Sequence, residues 1–354
     1  MFSKRQKFFG LFLLGLLFLI LVSCGKKPNG VRLPEVLLYA TSSTSTYACP
    51  WCATTYVIDV QGDSVSDSIV HVGDQAYPPF EYELTASPDG RYLLIHEISK
   101  TLVWDVVGGK AVKWLDAALV TFAGNQVVGS NARVLTFWSY PGFDSLGQDS
   151  TPFVDLKFDG QFLWGHKPYS GVGHLDSLNF AQYDLTTRHI VKEWSRISFD
   201  WAFGAHQYEL GLNGVKYFVG STYLSAVDFN QGWVVFHVAL EESSRSAHNY
   251  IAVTPDWREV WLWGVGSMLM GPEAPSTIFV YDAMTGVLIR KIPVPGRQQI
   301  ADICFHPYLP IAYATYATRS GPILVINAET GEIEKTISIG QGLYPQSLAV
   351  APRP

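Results

Sequence analysis

The chain has 354 residues, of which 48% are hydrophobic and 14% aromatic, ample for a large core. Its 25 Lys and Arg stand against 31 Asp and Glu, a formal charge of −6, and no basic run occurs. That balance argues against nucleic acid as a partner, and an acidic excess this mild bears mainly on solubility.

The first residues, MFSKRQK, carry Lys4, Arg5 and Lys7 and lead into FFGLFLLGLLFLILV, an uncharged apolar block of 15 residues. A basic start followed by a block shorter than the roughly 20 residues of a spanning helix reads as a secretory signal over 1–23. Leu21-Val22-Ser23-Cys24 resembles the lipobox of bacterial lipoproteins. The resemblance implies acylation of Cys24 and attachment by lipid alone, and Gly25 in place of Asp after the cysteine implies the outer membrane, on its periplasmic or outer side. Several acyl chains on one cysteine would hold firmly, since each buried methylene contributes roughly 0.8 kcal/mol. Residues 24–34, rich in Gly, Pro and Lys, read as a flexible tether to a single domain over 35–354.

Next comes Tyr47-Ala-Cys-Pro-Trp-Cys-Ala, whose Cys49 and Cys52 admit three readings: a loop staple, a redox dithiol or half of a metal site. A reactive dithiol needs its first cysteine at a helix N-terminus. The residues after Cys52, Ala-Thr-Thr-Tyr-Val-Ile-Asp-Val, are rich in β-branched side chains and predict a strand. An envelope location permits disulfides, so a structural Cys49–Cys52 bridge is the expectation, with redox and metal roles as alternatives.

From residue 35 onward, helical periodicity is absent and short β-branched and aromatic runs alternate with Gly, Asp, Asn and Pro, an all-β pattern. One hairpin recurs: a strand, an Asp/Asn-x-x-x-Gly turn and a second strand. Its copies lie at 54–73, 100–116, 133–147, 178–196, 223–240, 277–296 and 321–342. A different hairpin precedes six of them, at 84–97, 118–130, 154–166, 199–220, 251–264 and 301–315. The missing one is supplied by SLAVAPRP (347–354) and EVLLYATSS (35–43), the two ends of the region. Self-similarity at 40 to 50 residues signals a propeller. Seven four-stranded blades are predicted, the ring closed by pairing of the N- and C-terminal strands in one blade.

Ser87-Pro-Asp-Gly-Arg-Tyr, Val280-Tyr-Asp-Ala-Met-Thr-Gly and Val325-Ile-Asn-Ala-Glu-Thr-Gly resemble the repeats of YVTN-type and WD40-like β-propellers, over nearly the whole region. Trp104-Asp105 matches the WD40 dipeptide, and most blades lack it. For this Trp, packing between blades is expected.

In propellers of this kind the first-to-second and third-to-fourth turns share one face, which here is short and regular. The opposite face receives the longer segments 41–54, 165–179 and 264–277 and the connections 73–80, 242–249, 295–299 and 340–345. Variable loops on a rigid scaffold are where binding residues concentrate. Trp51, Tyr77, Tyr169 and Tyr344 offer aromatic platforms there, and His166, His174, Asp176, Arg245, His248 and Arg297 offer polar contacts. Met268 and Met270 offer an adaptable apolar patch.

No Gly-x-Ser-x-Gly elbow, Walker loop, His-Glu-x-x-His or regular calcium loop is present, and Ala53 after Cys52 rules out a haem c motif. No cofactor is therefore expected. His166, His174 and Asp176 would ligate a metal only if they converged, as would Cys49, Cys52, Cys304 and His306. Asp302, Cys304 and His306 alternate on one strand face, where a buried inert thiol is the expectation for Cys304. The function expected is a non-catalytic binding or scaffold module for a protein, peptide or glycan. The alternatives are a propeller lyase, hydrolase or oxidoreductase with its site at the channel mouth, or a thiol-disulfide partner using Cys49 and Cys52.

Overall fold

The computed structural model describes residues 35–43, 52–72, 83–97, 99–131, 133–151, 153, 155–167, 177–198, 207–220, 222–240, 248–265, 277–316, 321–340 and 345–354, and every structural statement below concerns these. The chain divides into Met1–Glu35 and Val36–Pro354, and the fold belongs to the second unit. The signal 1–23, Cys24 and the tether to residue 34 lie outside the described residues.

Seven four-stranded antiparallel sheets form the ring. We number the blades by their spans: I, 84–115; II, 119–149; III, 157–198; IV, 207–239; V, 248–293; VI, 300–337. Blade VII takes its first strand from Pro345–Pro352 and the other three from Val36–Ser43, Cys52–Asp59 and Ser64–Val72. The register pairs Leu38 with Val350 and Tyr39 with Ala349, so the two ends of the domain close the ring as the sequence predicts.

The turn chemistry explains why the repeats fold this way. In six blades the third strand ends on Asp59, Asp105, Asp184, Asp228, Asp282 or Asn327, whose side-chain oxygen accepts a backbone N–H two or three residues on. Such a side chain stands in for a backbone turn. Near the end of the third strand its register with the fourth slips in all seven blades, for example between Val57 and Ile58 and between Val325 and Ile326. A bulge increases local twist, which the blades of a ring need.

Packing makes the ring. Along Val36–Ser43, Leu37 and Tyr39 face blade I while Leu38 and Ala40 face blade VI, because successive side chains point to opposite sides of a strand. Each of the seven blade junctions holds its own apolar cluster. Inner strands are thus buried on both faces and read as continuous apolar runs, as in the fully buried YLLIH of blade I. Fourth strands are outermost and mostly exposed, as in KAVKWL. Trp104 packs into the cluster between blades VII and I, as expected for it.

Gly90 ties the first turn of blade I to the closing strand. Its φ is +73°, and a Cβ there would sit 1.9 Å from the Pro352 carbonyl oxygen, so no other residue fits.

Candidate functional site

First strands are innermost, and the first strands of neighbouring blades adjoin one another around the axis. On four of them, in blades I to IV, a cavity of about 270 Å³ opens. It lies where first strands begin and second strands end. Glu83 and Asp155 stand just before or at the entry to the first strands Leu84–Ala86 and Lys157–Phe158, and His96 is the last residue of Tyr92–His96. This is the end to which the variable connections attach.

Repeat register explains which groups meet. In blades I, III and VI the first turn is closed by the N–H of Ser87, Asp159 and His306, and four residues earlier stand Glu83, Asp155 and Asp302. Two residues before the turn, the next inward-facing position carries Thr85, Lys157 and, before Gly211 of blade IV, Glu209. Lys157 and Glu209 therefore meet across adjacent blades, Nζ donating to Oε2 at 2.7 Å. Their side chains remain 30% and 25% exposed, so the cavity reaches both. Lys157 also approaches the ring of Tyr208, 5.5 Å from its centroid.

The electrostatics are those of carboxylates crowded around one ammonium. Desolvation raises the Asp155 carboxyl to about 6; Glu83 and Glu209 push the same way and Lys157 opposes them. Desolvation works against the charge on Lys157, but Glu209 and Asp155 outweigh it and hold its pKa above the ordinary value. His96 is buried, its Nδ1–H donates to the Ala118 carbonyl and lies beside the Thr101 hydroxyl, its Nε2 bonds with the Thr85 hydroxyl, and desolvation pulls the ring towards the neutral form.

Asp302 does a different job. Its Oδ2 accepts the Leu348 N–H at 2.8 Å and the Ser347 hydroxyl at 3.2 Å, while Ser347 Oγ accepts the Leu84 N–H. This chain of bonds runs from blade VI through the closing strand to blade I. Desolvation raises Asp302 to about 6, with the Leu348 N–H opposing and Glu83 adding to the rise.

Of the residues singled out in the sequence, Cys49, Trp51, Tyr77, Tyr169, His174, Asp176, Arg245, Met268, Met270 and Tyr344 lie outside the described residues. Cys52 begins the third strand of blade VII, His248 begins the first strand of blade V, and Arg297 ends a single 3-10 turn at Pro295–Arg297. His166 is on the second strand of blade III, only 5% exposed, with its ring centroid 4.8 Å from Tyr208 and 5.3 Å from Phe180. It is a core side chain between blades III and IV rather than a solvent-facing loop contact, because its strand extends one residue beyond it. Cys304 is a free thiol packed against the cluster between blades VI and VII, and burial pushes its pKa well up. His306 stands one residue past the end of the same strand, Ile300–Phe305, with Nδ1 committed to its own turn.

Glu83, Asp155, Lys157 and Glu209 were not among the sequence candidates. The signal that marks them is register: charged residues at matching distances before the first turn of several repeats.

No protein-family profile matches the chain, and no curated protein matches it. Solved structures do. The chain is similar to the dihydro-heme d1 dehydrogenase NirN in complex with DHE, with a TM-score of 0.57, 13% identity, and coverage of 92% of this chain and 77% of that one. It is similar to the hydrazine synthase of Kuenenia stuttgartiensis, with a TM-score of 0.55, 14% identity, and coverage of 80% and 88%. It is also similar to the β-propeller domain of Cps50 (Swd1) from Myceliophteria thermophila, with a TM-score of 0.53, 9% identity, and coverage of 73% and 86%. At these identities the likeness is one of fold: the chain is a seven-bladed β-propeller.

Proposed function

We propose that this protein is a lipid-anchored, extracytoplasmic binding or scaffold module, attached to the outer membrane through Cys24, that engages a protein, peptide or glycan at its variable-loop face. The observation that carries the reading is the polar cavity on the inner strands of blades I to IV, at the end to which the long connections attach. A rigid ring that presents concave, charged surface beneath variable segments is built to hold a ligand in place. Three carboxylates, Glu83, Asp155 and Glu209, against one ammonium, Lys157, suit a basic group on that ligand. Cys49 and Cys52 serve here as a staple holding Trp51 on the same face.

A second reading has one observation behind it. A carboxyl held near 6 beside an ion pair in a cavity is a suitable proton donor or acceptor, so Asp155 favours an enzyme acting at the same mouth.

Crosslinking the acylated protein in its native envelope, followed by isolation, separates the two. The binding reading expects one reproducible partner whose capture falls when Trp51, Tyr344 and Asp155 are substituted. Turnover of a compound from a substrate panel, abolished by Asp155→Asn and with no partner captured, would sink it in favour of the enzyme.

A further inference from the structure

A larger cavity, about 580 Å³, lies on the opposite, short-turn face between blades V and VI, within the range of small-ligand sites. Its walls are the first turns of both blades, Thr254 to Glu259 and His306 to Pro310, together with Ala328 and Glu329 from the second turn of blade VI.

The turn of blade VI departs from the repeat in a way that leaves a donor free. In blades I and V the turn opens with Ser87 or Thr254, whose hydroxyl accepts a backbone N–H and donates to Asp89 or Asp256 two residues on. That arrangement is closed on itself. Blade VI replaces Ser/Thr-Pro-Asp with His306-Pro307-Tyr308. His306 Nδ1 accepts the N–H of Tyr308 and of Leu309, each at 3.1 Å, so the neutral ring carries its proton on Nε2. His306 is 4% exposed and lines the cavity, and its Nε2–H has no partner among the described residues. Desolvation lowers the His306 pKa, which keeps the ring neutral and the tautomer fixed.

The remaining charges complete the picture. Asp256 is engaged by Arg258 at 3.6 Å, and Glu259 is held by Arg290 at 2.6 Å. Arg290 also donates to the Ala328 carbonyl. The carboxylate of Glu329, exposed at the rim, has no ion pair among the described residues. The rest of the wall is Pro255, Pro307, Pro310, Leu309 and the 45%-exposed Tyr308, an apolar and aromatic surface stiffened by proline.

We propose that this cavity binds a short peptide segment, which places a backbone carbonyl on His306 Nε2–H, an apolar side chain against Tyr308 and the prolines, and a Lys or Arg on Glu329. A peptide supplies all three features at neighbouring positions, and this site is independent of the variable-loop face. The test is panning of a randomised twelve-residue peptide library on the full propeller, then titration of enriched peptides against variants. The control is His306→Ser with Tyr308→Asp, which rebuilds the self-closed turn of blade I and removes both donor and aromatic wall.

Enriched peptides are expected to carry a basic residue and to shift the His306 Nε2 resonance in nitrogen-15 spectra. They are expected to bind the control at least tenfold more weakly and Glu329→Gln at least threefold more weakly at low salt. If the double variant does not fold, Tyr308→Asp alone and Glu329→Gln give the same readout. No enrichment, peptides that bind the variants as well as the parent, enriched acidic peptides, or binding only by small amines would each overturn the proposal.

Discussion

Lys216 is the most demanding residue in the core. It lies on the second strand of blade IV, fully buried, with its ammonium 4.3 Å from the Trp164 ring centroid and 3.7 Å from Asp159 Oδ2. No hydrogen-bond acceptor reaches Nζ among the described residues. Desolvation pulls its pKa from 10.5 to about 8, against the pull of Asp159. The unfolded chain therefore holds that proton more tightly than the folded one. At about 1.36 kcal/mol for each tenfold difference in proton affinity, the charged lysine costs the fold about 3 kcal/mol at pH 7. The indole face returns roughly 1 to 2 kcal/mol of that.

Because the folded pKa lies below the unfolded one, stability rises with pH from about 8 to 10.5, and the cost is fully present below 8. Lys216→Met keeps the apolar stem and drops the ammonium. Asp159 is not stranded by the change, since it still accepts from the Trp164 indole and from the N–H of Gln161 and Phe162. Urea unfolding followed by tryptophan fluorescence should find the variant about 1 to 2 kcal/mol more stable at pH 7. The parent should gain about 1.3 kcal/mol between pH 7 and 9 that the variant lacks. A variant less stable than the parent at pH 7, or parallel responses of the two proteins from pH 7 to 9, would refute the reasoning.

Three further outcomes follow from the same physics. Glu259→Gln takes the negative charge and one of two acceptors from the Arg290 guanidinium, 18% exposed, and should cost about 2 to 3 kcal/mol in urea unfolding; Glu259→Leu with Arg290→Met should cost less. Asp155 and Asp302 are held near 6, so the folded state binds their protons more tightly than the unfolded one and the stability they contribute at low pH is lost as pH rises from about 4 to 6. Carboxyl carbon-13 titration should place both near 6, and Asp155→Asn should exceed the parent in stability at pH 7 while the gap closes near pH 4. Gly90→Ala forces a methyl onto the Pro352 carbonyl and should cost more than about 2 kcal/mol, with faster hydrogen exchange in Val36–Ser43 than in blades III to V.

The sequence by itself determined the ring. Asp282 and Asn327 announce turns because their side chains cap the backbone two and three residues on, a local interaction that any reader of the chain can see. The continuous apolar runs announced strands buried on both faces, and the incomplete repeat at each end announced closure. Tertiary structure alone decided the rest, because it depends on which blade lies beside which and at what height. Lys157 meets Glu209, 52 residues on, only since both stand two residues before the first turns of adjacent blades. His166 looks like a loop residue in the sequence and is core in the fold, because burial depends on where a strand stops against its neighbours. His306 reads as one more polar residue before a turn; its role appears only when its Nδ1 is seen spent on the backbone and its other nitrogen left facing a cavity that two blades make together.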